Sequence, residues 1–341
     1  MPKKPRKGST EQERMVAAFS SQSISARNTF HPNLWKKAKK EPADMFIVIG
    51  RAAILVNMTQ GGSYFQDLYT HNISQARDRI ADWAGGLSIK GSNAWRDFDV
   101  RWNDIDFIGI ISVVQGRHAA CCKHETTKYA LNQKVRLCAS LTNRVMFQLA
   151  NFGGGARDLL RYCASLPPED SALAPSPAVG RLIWQHASLL APFVYFAQHP
   201  KIRMGTNGSP SSVFTHVMRV TMSARSKGDY NSNEIFSDLD WNDLAWAAIF
   251  ATTCLAQMED APTGQIRYKI LGLPDLRFAV IVSTSSGSLA KNAGQLIERA
   301  KADGAKITLI FMLDRSLGMT ALLVGFHGQV ATSVTNFLRG L

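Results

Sequence analysis

Apolar and polar residues follow two different periods along this chain, and the switches between them mark its elements. The clearest signal is a pair of apolar runs, residues 44–49 and 52–58, rich in Ile and Val and separated by Gly50 and Arg51. Two such runs joined by two residues that include a glycine read as a hairpin. Gly61 and Gly62 then read as a turn. Apolar positions recur at helical spacing over 66–83, and Gly85 and Gly86 stop that helix. Residues 105–114 form a buried strand by their β-branched content. Residues 129–149 are predicted helical, and Gly153 to Gly155 precede another helix at 156–165. Upstream, Thr10 and Glu13 make a capping box for a helix carrying Val16, Ala17 and Phe19. Residues 27–35 read as a short strand ending near Pro32.

Four of the thirteen prolines fall within residues 167–177, which marks a boundary. The expected organisation is a basic flexible arm (1–9), a first domain (10–165), a Pro-rich linker (166–178) and a second α/β domain (179–341). In the second domain, helical stretches at 179–198 and 241–258 lead to a strand–helix–strand unit at 278–282, 288–303 and 306–313, with a further strand at 321–326. A helix of that length between two strands predicts a parallel pair with a right-handed crossover. There is no internal repeat at a fixed period.

Composition narrows the class. The 341 residues are 45% apolar and 19% charged, as in folded proteins. No apolar run reaches about 18 residues, so no membrane span is expected, and the basic start lacks the apolar stretch of a secretory signal. Five cysteines, an odd number with Cys121 and Cys122 adjacent, suit free thiols in a reducing compartment; the expected location is cytoplasmic. The net charge of +13 is unevenly spread. Residues 1–165 hold 24 Lys or Arg against 13 Asp or Glu, a balance of +11, while 166–341 hold 15 against 13, only +2. That asymmetry points to a polyanion partner for the first half, most simply nucleic acid; the expected partner is DNA ahead of RNA, a choice that charge does not make. Lys36, Lys37, Lys39 and Lys40 form its densest basic patch.

The order of the first half, a helix, a strand, a two-strand hairpin, a helix and a strand, resembles the α-β-β-β-α-β core of the PD-(D/E)xK restriction-endonuclease-like superfamily over about residues 10–115. The resembling residues are Glu13, then Lys40-Glu41-Pro42-Ala43-Asp44 entering FIVIG, then AILVNMT, then His71 and Gln75 in the following helix. The resemblance implies Asp44 as the first-strand carboxylate and Asn57-Met58-Thr59 at the triplet where active members carry an acidic residue and a lysine. Two carboxylates there hold a divalent cation against the phosphate, and the lysine orients water and steadies charge. Here Asn57 and Thr59 replace both, so the catalytic positions Asp44, Asn57, Thr59 and Gln75 are read as a degenerate site. No cofactor is expected; Mg²⁺ or Mn²⁺ on Asp44 belongs only to an active-nuclease alternative. His71, Gln75 and Arg79 lie along one helix face, and His71 and Arg79 join the four lysines as candidate nucleic-acid contacts. Glu13 is read as a cap.

Other clusters carry less. His118, Cys121, Cys122 and His124 are close in sequence but lack the second ligand pair of a zinc site, and read as buried thiols beside a surface histidine. The glycines before residue 156 read as a packing loop, and Ser283 to Ser288 as capping residues. The expected function is nucleic-acid binding on a degenerate nuclease-like fold without efficient cleavage. Residues 179–341 would serve a protein partner or self-association. The alternatives are an active metal-dependent nuclease and an interaction protein that binds no nucleic acid.

Overall fold

The computed structural model describes residues 25–35, 40–117, 120–151, 155–171, 250, 254, 265–273, 276–305, 307–314, 318–325 and 333–341. The basic arm, the Thr10–Glu13 helix, the stretch 179–198 and all of 241–258 except Phe250 and Cys254 lie outside the described residues. Two compact units emerge, Met1–Leu182 with Ala331–Leu341, and Ile183–Val330. The fold is mixed α/β.

Unit 1 is built on an eight-stranded sheet. Its strands are β1 (Thr29–Pro32), β2 (Met45–Ile49), β3 (Ala52–Tyr64), β4 (Ile89–Ser92), β5 (Asp97–Val100), β6 (Phe107–Arg117), β7 (Cys122–His124) and β8 (Val135–Thr142). They lie in the order β5-β4-β1-β2-β3-β6-β8-β7. The three central strands β3, β6 and β8 run parallel, and every other pairing is antiparallel. The β2–β3 hairpin closes with Ile49 opposite Ala52, and Gly50 at φ 55° takes the left-handed turn position.

Both faces of the sheet are covered, which is why its central strands read as unbroken apolar runs instead of alternating ones. One face sends Phe46, Val48, Ala53, Leu55, Ile108 and Ile110 into a core with Leu68, Tyr69, Ile73, Ile80 and Trp83 of α1 (Phe65–Ala84). The other sends Ile47, Ile49, Ile54, Val56, Ile111 and Leu141 against α2 (Asn143–Asn151), α3 (Ala156–Ala164) and, from the far end of the chain, Val334 and Leu338. Burying each large side chain of α1 is worth roughly 1.5–3 kcal/mol. That outweighs the helix-propensity cost of its β-branched and aromatic members, at most about 0.7 kcal/mol each.

Three expectations need correction. The helix expected over 129–149 is a turn, then β8, then α2. Leu137, Cys138, Ala139, Ser140 and Leu141 are all buried, paired with β6 and at Cys138–Ser140 with β7 as well, and this pairing overrides the strong helix propensity of their Leu and Ala members. Gly61 and Gly62 do not end the strand: β3 continues to Tyr64, and its register with β6 shifts between Gln60 and Tyr64. Glycines suit such an irregularity inside a strand. Strands β4, β5 and β7 were not anticipated, although Ile89–Ser92 and Asp97–Val100 alternate buried and exposed residues.

In unit 2, β9 (Ile266–Leu273), β10 (Leu276–Ser283), β11 (Ile307–Asp314) and β12 (Gly318–Gly325) form a sheet in the order β12-β11-β10-β9. α4 (Ser286–Ala302) connects β10 to β11, which pair in parallel as the strand–helix–strand pattern predicts. Strand β9 was not anticipated. Each unit thus contains an antiparallel hairpin, a connecting helix and a strand parallel to the hairpin's second strand. The final helix, α5 (Ser333–Arg339), belongs to unit 1. Among the described residues no helix is long and apolar enough to cross a membrane.

Gly91 tests the packing directly. A Cβ there would lie 2.4 Å from the Phe30 ring and 2.8 Å from the His31 carbonyl oxygen, and that backbone cannot step aside. Gly91→Ala is expected to lower the stability of unit 1 by about 1–3 kcal/mol. Gly294→Ala, with nothing within 4 Å of its Cβ inside α4, is expected to raise that of unit 2 by about 0.5–1 kcal/mol. Chemical denaturation read separately for the two units checks both signs.

Candidate functional site

The hairpin places Asp44 where the sheet can grip it. Its N–H donates to the Val56 carbonyl (3.1 Å), extending the β2–β3 ladder by one step, and its Oδ2 accepts the Met58 N–H at 2.6 Å. The His31 ring approaches the Asp44 carbonyl at 2.7 Å. Burial pushes the Asp44 carboxyl above the usual range, more than the Met58 N–H pulls it down, and the charge of Glu41 adds to the rise.

Asn57 and Thr59 point from β3 toward α1, where Asn72 meets them. Asn57 is 2% exposed, and its Nδ2 donates to the Asn72 carbonyl at 3.2 Å. Asn72 Nδ2 returns a bond to the Asn57 carbonyl (3.3 Å) and another to Ser112 Oγ (2.9 Å), while the Thr59 hydroxyl donates to Asn72 Oδ1. Asn72 was not singled out from the sequence. The signal was there: it is a polar residue within the stripe Leu68, Tyr69, Ile73, Ala76 and Ile80 that α1 buries.

The other expected residues divide. Gln75, three positions beyond Asn72, is half-buried. His71 is exposed. Arg79 donates from Nε to the Glu41 carbonyl at 2.9 Å, and Lys40 lies 3.8 Å from Asp82; both tie α1 to the segment that carries Asp44. Lys36, Lys37, Lys39, Glu13 and His118 lie outside the described residues.

This donor set does not fit a divalent cation. Asp44 brings a single carboxylate with one oxygen already on Met58, the Thr59 hydroxyl donates to Asn72, and Asn57, whose Nδ2 is held by the Asn72 carbonyl, offers only a neutral amide oxygen in place of a second carboxylate. No group of three His, Cys, Asp or Glu suited to a metal occurs among the described residues.

Along the same face a buried polar row continues across the sheet, with Asn57 beside Ser112, Ser112 beside Ser140 and Ser140 beside Cys122. Ser140 Oγ lies 2.7 Å from His124 Nε2, and His124 Nδ1 lies 2.6 Å from Glu169 Oε2. Tyr129 donates to the same carboxylate at 2.8 Å, and Lys128 pairs with it. The Tyr69 and Tyr129 rings pack on the imidazole at 4.5 and 5.6 Å. The order Ser–His–carboxylate is that of an acyl-transfer triad. Ser140 is nevertheless fully buried beneath these rings, so a substrate carbonyl has no approach. The arrangement is a strut that binds the segment around Glu169 to the sheet. His124 is thus buried, not the surface histidine expected.

Burial holds the His124 imidazole below its ordinary value, more than Glu169 raises it. Burial also works against the Glu169 charge, but bonds from Lys128, His124 and Tyr129 overcome it and bring that carboxyl down to about 2. Burial pushes the Cys122 thiol up to about 12, which keeps it a protonated, unreactive neighbour of the histidine.

The serines read as capping residues do cap α4, and a side-chain cap also begins α3, where the sequence suggested only a packing loop. Ser285 Oγ accepts the Ser288 N–H at 3.3 Å at the start of α4, and the Asp158 carboxylate accepts the Gly155 N–H at 2.8 Å at the start of α3. No family model, curated protein or solved structure matches this chain.

Two outcomes follow from these networks. Asn72→Ala strands Ser112 Oγ and the Asn57 carbonyl in the core and is expected to cost about 1–3 kcal/mol for each group left unpaired, measured by chemical denaturation. The strut sets the response to acid. His124 and Glu169 both hold protons less readily when folded, so both contribute stability that fades as pH falls. Loss is expected to begin below about 6.5, the ordinary value for histidine, and to steepen between 4.5 and about 2 as Glu169 protonates. Glu169→Gln should remove the lower phase. A wild-type acid profile identical to that of the variant contradicts the strut.

Proposed function

We propose that this chain binds nucleic acid, DNA ahead of RNA, through a degenerate restriction-endonuclease-like domain that does not cleave efficiently. One observation supports the reading: β1, β2 and β3 lie side by side, and the chain returns through α1 and then the β4–β5 pair to β6, which runs parallel to β3. Within that order Asp44 meets the Asn57–Thr59 triplet through Met58. The +11 charge of residues 1–165 supplies the attraction to phosphates. The bonds from Asn72 to Asn57 and Thr59, and the lack of a second carboxylate beside Asp44, support a reading without efficient cleavage. Asp44 then acts as a backbone anchor for β3, and the active-nuclease alternative would need Mg²⁺ or Mn²⁺ on Asp44 with ligands from elsewhere. Of residues 179–341, the part in unit 2, Ile183–Val330, is assigned to a protein partner or self-association. A cytoplasmic, reducing setting suits five cysteines that are all free thiols.

The test is a titration of labelled DNA with the full chain across a salt series. Affinity is expected to fall steeply with salt, and replacing Lys36, Lys37, Lys39 and Lys40 with Ala is expected to weaken binding and flatten the slope. Mg²⁺ or Mn²⁺ is expected to produce no cleavage of plasmid or single-stranded DNA. Asp44→Asn should leave DNA affinity intact, because no favourable phosphate contact is lost. Metal-dependent cleavage that vanishes in that variant would restore the nuclease alternative; no binding at any salt would leave the interaction protein.

A further inference from the structure

A second charged cluster lies at the other end of the central strands, where β3, β6 and β8 begin. The register sets Ala52 beside Phe107 and Thr59 beside Val114, so at about 3.3 Å per residue the cluster is roughly 20 Å from the hairpin site. It contains Arg51, Lys134, Arg136 and Arg339 around Trp102 and Phe107, with Asp104 and Asp106 as its acids.

Two of the four cations are committed. Arg51 donates to both oxygens of Asp106, at 2.6 and 2.8 Å, and to the Asn103 carbonyl. Lys134 donates to the carbonyls of Trp102 and Ile105 and sits 4.2 Å from the Trp102 ring centre. Asp104 accepts the Arg101 N–H. Both oxygens of Asp106 are thus held by Arg51, while Arg136 and Arg339, both exposed, form no ion pair within 4 Å with any described residue, although Arg339 lies near enough to help hold the Asp106 carboxyl below its ordinary value.

What holds these two arginines is one aromatic ring. Their guanidinium carbons lie 5.7 and 5.6 Å from the centre of the partly buried Phe107. Arg136 is aimed there by an irregularity: Ile108 pairs with Val135 but Gly109 with Leu137, which leaves Arg136 as the extra residue in β8. An inserted residue of this kind redirects a side chain and is over-represented beside functional sites. Arg339 comes from the last turn of α5, more than two hundred positions away in sequence, and Val334 and Leu338 of that helix are in the unit 1 core. Guanidinium groups held against a ring are pre-oriented, and their outward N–H donors match the paired oxygens of a phosphate.

We propose that Arg136 and Arg339, flanking Phe107, form a phosphate seat that grips a nucleic-acid backbone far from the degenerate hairpin site. This rests on the nucleic-acid reading for its ligand but not for its chemistry, and the test separates the two. The full chain is compared with the double variants Arg136→Gln/Arg339→Gln and Arg136→Lys/Arg339→Lys by anisotropy of a labelled DNA duplex across a NaCl series. Calorimetry with inorganic tripolyphosphate forms the second arm, and thermal unfolding reports folding. The Gln variant is expected to reduce the slope of log affinity against log salt by about two, because two phosphate contacts are lost. It should also abolish tripolyphosphate binding while unfolding at the wild-type temperature. The Lys variant should keep the slope, since charge survives, and lose affinity because paired donors do not. An unchanged slope with unchanged tripolyphosphate binding overturns the seat and leaves DNA binding standing elsewhere. Tripolyphosphate binding lost in the Gln variant, with no DNA binding by the wild type, supports the seat as an oxyanion site and removes the nucleic-acid reading. A lowered unfolding temperature with unaltered binding of both ligands makes the arginines packing residues and overturns the proposal.

Discussion

The reciprocal bond between Asn57 and Asn72 is the constraint around which unit 1 is organised. Strand β3 is covered on both faces, so a polar side chain on it must find a partner inside the protein or incur a desolvation cost of about 1–3 kcal/mol. Asn72 supplies that partner from α1 and at once satisfies Thr59, Asn57 and Ser112. It fixes the helix against the sheet by polar contacts as well as apolar ones.

The same logic extends along the sheet. Beyond Ser112 the buried row reaches Ser140, His124 and Glu169, where a carboxylate with three donors balances its own desolvation. Between α1 and the central strands the molecule thus holds a polar seam inside an apolar sandwich. Such a seam favours one register and one helix position over shifted alternatives, since any slip unpairs several groups together. The outward cations, by contrast, sit on edges and ends.

Sequence made the hairpin legible because two apolar runs flank Gly50, whose left-handed backbone the turn requires. It made Asp44, Asn57 and Thr59 legible as a set because their spacing depends only on that hairpin. It could not show that Asn57 and Thr59 are occupied, because the occupant lies in a helix 13 to 15 positions away and looks like one more residue of a stripe. Strand β8 was hidden because Leu137 to Leu141 suit either structure, and only neighbours on both edges decide between them. His124 and Glu169, 45 positions apart, leave no local signal of their pairing. Arg339 is further still from the ring it flanks.

The account's central claim is that unit 1 carries the nucleic-acid face. Ultraviolet cross-linking of the full chain to DNA carrying 5-bromodeoxyuridine, with the attached peptides mapped by mass spectrometry, tests it most directly. Cross-linked peptides are expected from Met1–Leu182 and Ala331–Leu341. Cross-links confined to Ile183–Val330, or none under conditions where a control DNA-binding protein labels, would contradict it.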